Sequence, residues 1–180
     1  HLVERVLALE PDLVVVTGDL VDGTVRQLAE EVAPFARLSA PGGVWFVTGN
    51  HEMISGVDPW IDHIRDTLGM GVLSNRSVVI GQGEGAFRLA GVDDHSGRVM
   101  APHHSEDLDA ALAECEPDQP LILLAHDPLT FRDPRARRAD LVLSGHTHAG
   151  QIWPFGYLVR LAIPFLAGLY ERGGAHLYVS

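Results

Sequence analysis

Four short apolar runs, each passing without a spacer into a cluster of Gly, Asp, Asn or His, constrain this chain more than any other feature. Leu13-Val14-Val15-Val16-Thr17 leads into Gly18-Asp19-Leu20-Val21-Asp22-Gly23, and Val44 to Thr48 leads into Gly49-Asn50-His51-Glu52. Leu121 to Ala125 is followed at once by His126-Asp127-Pro128, and Leu141-Val142-Leu143 by Ser144-Gly145-His146-Thr147-His148. Continuous apolar runs of this length predict strands buried on both faces. Helical spacing separates most of them: Leu2 to Leu9, Thr24 to Leu38 with a bend near Pro34, Pro59 to Leu68, and Ser105 to Cys115 with Ser105 as N-cap. Strands alternating with helices imply parallel pairing through crossovers, hence an α/β fold. Ligands of such sheets bind beyond the carboxyl ends of the strands. The four polar clusters are therefore expected to meet at one edge of the sheet.

Weaker strand patterns at Ser77 to Ile80 and Phe87 to Val92 flank a glycine-rich turn, Gly81 to Gly85. They predict an antiparallel hairpin, closed by Asp93-Asp94-His95. Arg132 to Arg138 reads as a basic loop or short helix, and His176 to Val179 as the start of a strand. No repeat, low-complexity run or linker divides the 180 residues, so one domain over 1–180 is expected. The formal net charge of −11 argues against a non-specific grip on nucleic acid, and no binding of a nucleic acid duplex is expected. Cys115 is the sole cysteine, which excludes an internal disulfide and reads as a small buried hydrophobe. The longest apolar stretch, Tyr157 to Tyr170, contains Arg160 and Pro164 and is shorter than the ~20 residues a spanning helix needs. The chain opens on His1 rather than Met, so its true N-terminus is expected upstream.

Asp19, Asp22, Asn50, His51, His126, His146 and His148 form the candidate constellation. Carboxylates, an amide oxygen and imidazoles, with no thiolate, suit Mn²⁺, Fe or Zn²⁺ rather than a Cys-rich structural zinc site. One Asp can bridge two such ions ~3.5–4 Å apart, the arrangement used for phosphate ester hydrolysis. Simpler readings stand beside these. Asp22 can N-cap the helix after Gly23, Asn50 can be a turn residue, and His126 can be a satisfied core histidine. Glu52 is read as a solvated acid or one that supports a ligand from behind. His63, His103, His104 and His176 are read as surface or packing residues, and His95, with Asp93 and Asp94, as surface or as pocket lining.

In sequence order, GDLVD (Gly18 to Asp22), GNHE (Gly49 to Glu52), the AHDP His126 and GHTH (Gly145 to His148) resemble the motif series of calcineurin-like metallophosphoesterases. AGQIWPF (Ala149 to Phe155) and LAGVDD (Leu89 to Asp94) are similar to a bacterial branch whose members are often membrane-anchored phosphoesterases. The resemblance implies a layered α/β/β/α sandwich, here expected to be incomplete at both ends. The family's first motif, Asp-x-His on the first strand, is absent, and closing strands are expected beyond Ser180.

The resemblance also implies roles. Asp19 would bridge two divalent ions. Asn50, His126 and His146 would complete the second metal and His148 would bind the first. His51 would donate a proton to the leaving oxygen or to the transition-state phosphoryl group, and Asp22 would orient His51. The implied reaction is hydrolysis of phosphate mono- or diesters by a bridging hydroxide, with Mn, Fe or Zn as metal. The chain lacks the Arg that follows the second Asp in protein Ser/Thr phosphatases. A small phosphoester, lipid- or nucleotide-like, is therefore the expected substrate. With only Asp19 and His148 for the first metal, this chain alone is expected to bind it poorly. Two alternatives stay open: a non-catalytic interaction module with a degenerate metal site, and a mononuclear zinc hydrolase of amide or ester bonds. The apolar stretch Trp153 to Tyr170 is a candidate lip for a lipid-like substrate or a membrane surface, with ordinary core as the simpler reading. The expected location is cytoplasmic, or membrane-associated through a segment upstream of His1.

Overall fold

A computed structural model of the chain describes residues 2–147 and 164–180. In chain order the elements are α1 (Leu2–Leu7), β1 (Val14–Val16), α2 (Val25–Val32), β2 (Val44–Phe46), α3 (Asn50–Ser55), α4 (Val57–Asp62), β3 (Gly71–Val72), β4 (Arg76–Ile80) and β5 (Phe87–Gly91). They continue with α5 (Gly97–Met100), α6 (Leu108–Leu112), β6 (Leu121–Leu124), β7 (Leu141–Ser144), β8 (Gly168–Arg172) and β9 (Ala175–Val179).

The strands form two sheets. One is three-stranded and parallel, in the order β1-β2-β3. The other is six-stranded, in the order β4-β5-β6-β7-β9-β8; β5, β6, β7 and β9 run parallel, and β4 and β8 are antiparallel edges. Side-chain alternation shows how the layers stack. Val15 and Trp45 of the first sheet share a cluster with Leu89, Ile122, Leu124 and Leu143 of the second. Their neighbours point the other way. Val14, Val16, Val44 and Phe46 pack with Val25, Leu28, Trp60 and Ile61 of the helices on one outer face. Ala90, Leu121, Leu123 and Val142 pack with Leu108, Ala111 and Leu112 of α6 on the other. A strand buried on both faces has this period-two division, and the result is an α/β/β/α sandwich.

Several expectations shift in detail. The four polar clusters stand at the carboxyl ends of strands from two facing sheets, not one. The helix expected over Thr24 to Leu38 is two pieces: α2, then a 3₁₀ turn at Ala33–Arg37. Pro34 offers no N–H to continue the ladder. The helix expected at Pro59 begins at Val57 and ends in a π turn at His63–Thr67. The cap of α6 is Asp107, not Ser105: its carboxylate accepts the Ala110 N–H at 3.0 Å, and the helix is correspondingly shorter. Strands β3 and β8 were not expected at all. Most of the apolar stretch considered as a lip, and His148, lie outside the described residues. No described helix is long and apolar enough to cross a membrane.

The inter-sheet layer should carry much of the stability. Leu124 is fully buried there, and Leu124→Ala is expected to cost roughly 2–5 kcal/mol in urea denaturation. Val79→Ala, on the half-exposed outer side of β4, should cost about 0.5 kcal/mol.

Candidate metal centre

The carboxyl ends of β1, β2, β6 and β7 face one another, and two tight turns bring their side chains together. Asp19 has φ 54° and His146 has φ 69°, both in the left-handed region. Asp and His tolerate that region better than most residues, but it still stores strain of order 1 kcal/mol or more. The turn frees each side chain from the up–down alternation of its strand. Close approach requires glycine beside them. A Cβ on Gly49 would sit 2.3 Å from Asp19 Oδ1 and 2.9 Å from His126 Cε1.

Four atoms converge as a result. His126 Nε2 is 3.1 Å from Asp19 Oδ2 and 3.2 Å from Asn50 Oδ1. His146 Nδ1 is 2.9 Å from Asn50 Oδ1 and 3.0 Å from His126 Nε2. The other ring nitrogen of His126, Nδ1, lies 2.6 Å from the Thr17 carbonyl. A carbonyl can only accept, so Nδ1 carries a proton, and Nε2 is the nitrogen that faces inward, a donor to Asp19 when His126 is charged and a lone pair for a cation when it is neutral. Lone pairs are thus aimed at one small volume from four loops. Their spacing matches the roughly 3.0 Å between cis ligands of an octahedral ion with bonds of about 2.1 Å. The residues therefore fit a hard or borderline divalent cation. Burial opposes charge on Asp19, but hydrogen bonds from His126 and the His51 backbone N–H outweigh it and hold the carboxyl below its usual range. Burial likewise disfavours His126⁺, and the Asp19 carboxylate outweighs it in the opposite direction, upward. A cation needs Asp19 ionised and His126 Nε2 free of a proton, so affinity should rise with pH.

The loops are held from behind by Glu52. Its buried carboxylate accepts backbone N–H groups from Asp19 at 3.0 Å, Leu20 at 2.8 Å and Val21 at 3.3 Å in one loop. It also accepts from Gly49 at 2.7 Å, reaching back to the N-cap of its own helix, α3. Of the two readings of Glu52, the solvated acid is excluded and the acid that supports a ligand from behind agrees with the structure: it is fully buried and ties β1's loop to β2's. Burial pushes its carboxyl up; the Gly49, Asp19 and Leu20 N–H groups oppose that shift and the Asp19 charge reinforces it. Trp60, also fully buried, fixes the far end of the same loop by donating its indole N–H to the Gly23 carbonyl at 2.8 Å.

His51 is the second residue of α3 and is partly exposed above the centre. Its Nδ1 lies 2.9 Å from Asp22 Oδ1, its Nε2 lies 4.0 Å from Asp19 Oδ2, and its backbone N–H donates to Asp19 Oδ1 at 3.0 Å. Asp22 does not cap α2, which is capped by Thr24 with Gln27. Asp93 and Asp94 are buried beneath the surface, whereas His95 is exposed and pairs with Asp127, the residue after His126, at 3.3 Å. His95 lines a cavity of about 400 Å³ with Glu106, Leu129, Thr130 and Arg135.

A family model described as calcineurin-like phosphoesterase matches residues 1–150. An uncharacterized metallophosphoesterase of Helicobacter pylori (strain J99) is 40% identical over 182 residues, covering 100% of this chain and 48% of its own length. A bovine (Bos taurus) transmembrane protein with metallophosphoesterase domain is 43% identical over 180 residues, covering 94% of this chain and 40% of its own. The chain thus spans about half the length of the curated relatives it matches. Among solved structures, the Thermus thermophilus sulfate thiohydrolase SoxB superposes with a TM-score of 0.61 at 16% identity, covering 99% of this chain and 36% of that one. Phosphopantetheinyl hydrolase from Mycobacterium tuberculosis gives a TM-score of 0.58 at 14% identity, covering 99% and 84%. At such identities these two speak for the fold alone.

Glu52→Gln keeps the shape but puts an NH₂ among backbone N–H donors. Stability in urea should fall by about 1–3 kcal/mol. Mn²⁺ affinity, read by calorimetric titration, should fall roughly 10–100-fold as the two loops loosen.

Proposed function

The chain belongs to the calcineurin-like phosphoesterase family, and from that premise we propose that the centre formed by Asp19, Asn50, His126 and His146 serves metal-dependent hydrolysis of phosphate esters. The observation that best supports this reading is the convergence of those four side chains at 2.9–3.2 Å while the His126 proton is held elsewhere, by Thr17. Residues 1–180 act as one domain in this reading.

Divalent ions at such a centre supply Lewis-acid charge stabilisation and a nucleophile ionised at neutral pH. The protein's part is to hold the ligands and to manage a proton. Asp19, whose Oδ2 lies beside His126 and whose Oδ1 accepts the His51 N–H, would be the carboxylate shared by two ions, as the family resemblance implies. Asn50, His126 and His146 would hold the second ion, and by the family resemblance His148 would hold the first. In the family resemblance the remaining ligands of the first ion come from an Asp-x-His strand. The edge of β1 suits it: among the described residues β1 pairs with β2 alone, and a cavity of about 300 Å³ runs from Val3 and Val6 along β1 to Asp19.

His51 is the general acid in this reading. Its Nε2 overlooks Asp19, within reach of a phosphoryl group held there, and Asp22 on Nδ1 fixes the ring's orientation. Asp22 is largely exposed, so its contribution is orientation more than charge. The substrate class we infer is a small phosphodiester, nucleotide or lipid phosphate. Relatives named as transmembrane proteins support a membrane-associated setting for the whole protein.

The test uses bis-p-nitrophenyl phosphate with Mn²⁺. Asp19→Asn and His146→Ala should each abolish metal-stimulated hydrolysis. His51→Gln should keep its metal content and lower turnover by roughly 10²–10⁴, the range for one general acid. A wild-type protein that binds metal yet leaves phosphate esters intact would favour the non-catalytic interaction module instead.

A further inference from the structure

A second group of metal-ligating side chains lies outside the centre described above. Asp58 is in the first turn of α4, and His103 and His104 form the 3₁₀ turn after α5. Asp58 Oδ1 is 3.0 Å from His104 Nε2, and Asp58 Oδ2 is 3.2 Å from His103 Nε2. One ligand atom from each residue lies within 4.8 Å of the others. The two rings stand 4.6 Å apart, tilted by 52°.

What distinguishes this cluster from a chance surface contact is the support behind His104. Its Nδ1 lies 3.2 Å from Asp93 Oδ2, and Asp93 is buried, with 1% of its side chain exposed. A carboxylate can only accept, so Nδ1 holds a proton and donates it. Asp93 is itself fixed by Thr48 Oγ1 at 3.0 Å, Asn75 Nδ2 at 3.3 Å and the Ser74 hydroxyl. This carboxylate–histidine pair is the arrangement that orients metal-binding imidazoles in proteins. It leaves His104 Nε2 facing an Asp58 oxygen at hydrogen-bond distance, and only a positive charge between them, a proton or a metal ion, makes that contact favourable.

We propose that Asp58, His103 and His104 bind a second kind of divalent cation, zinc-like, at a peripheral site separate from the central one. Two imidazole nitrogens and a carboxylate suit Zn²⁺, with a fourth position open to water. The ion would join α4 to the segment after α5. Through His104, Asp93 and Thr48 it would also brace the start of the Gly49-Asn50 turn. The reading of His103 and His104 as ordinary surface or packing residues would then be incomplete.

The experiment uses the purified full-length protein, stripped with chelator and titrated with Zn²⁺ and with Co²⁺ as a coloured probe. A His146→Ala protein, weakened at the central site, isolates the peripheral one. It should still take up one equivalent of Zn²⁺ and give the intense visible absorption of tetrahedral Co²⁺. Adding Asp58→Asn and His103→Ala, both at exposed positions, should remove that equivalent and that absorption. In the otherwise wild-type protein the same pair of substitutions should lower zinc content by one ion. Equal zinc content with and without Asp58 and His103, or no tetrahedral Co²⁺ signal in His146→Ala, would overturn the proposal and leave a proton as the bridging charge.

Discussion

A single buried carboxylate holds this site in register. Glu52 gathers four backbone N–H groups, three from the loop after β1 and one from the turn after β2. Those loops are 31 to 33 residues from Glu52 in one case and adjacent to it in the other. Charge-assisted hydrogen bonds of this kind are roughly twice as strong as neutral ones, and each N–H would otherwise be an unsatisfied donor in the interior. The clamp explains how Asp19 can persist at a positive φ. Strain of that kind survives only where the surroundings over-determine the backbone, and here three successive amides are fixed by one anion.

The same carboxylate sharpens the electrostatic problem that the centre solves. Glu52 and Asp19 bring two negative charges together where burial favours neither, and Asn50 adds an amide oxygen. The protein answers locally with His126, whose Nδ1 proton is committed to Thr17. That proton fixes the tautomer and leaves the inward nitrogen available. The chain as a whole carries a formal charge of −11, so a bound divalent ion also offsets part of its self-repulsion. Geometry and charge thus favour the same occupant, a cation between two sheets whose inter-sheet core of Leu89, Leu124 and Val47 keeps their carboxyl edges facing.

Much of this was legible in the chain because the chemistry is local. Each apolar run ends abruptly in Gly, Asp, Asn or His, so the strand ends and the residues at them could be read together. The buried strands β1, β2, β6 and β7 follow from that, and the hairpin of β4 and β5 from the glycine-rich turn between two weaker strand patterns. What was not legible depends on partners far away in sequence. Gly71 and Val72 are too few to show a strand pattern, and β8 carries Glu171 and Arg172 on an edge where charge is tolerated. Glu52 resembles any acid in a first helical turn. Only its spacing from Gly49, three residues back, hints that it folds toward the cap. The pairing of Asp58 with His104 spans 46 residues and left no local mark.

The chemistry of the centre depends on Asp19, Asn50, His126 and His146 sharing one ion. Anomalous diffraction at the manganese edge, from crystals of the protein grown with Mn²⁺, tests this most directly. A peak is expected within bonding distance of Asp19 Oδ2, Asn50 Oδ1, His126 Nε2 and His146 Nδ1 together. Manganese elsewhere on the protein, with those four atoms still hydrogen-bonded to one another, would contradict it.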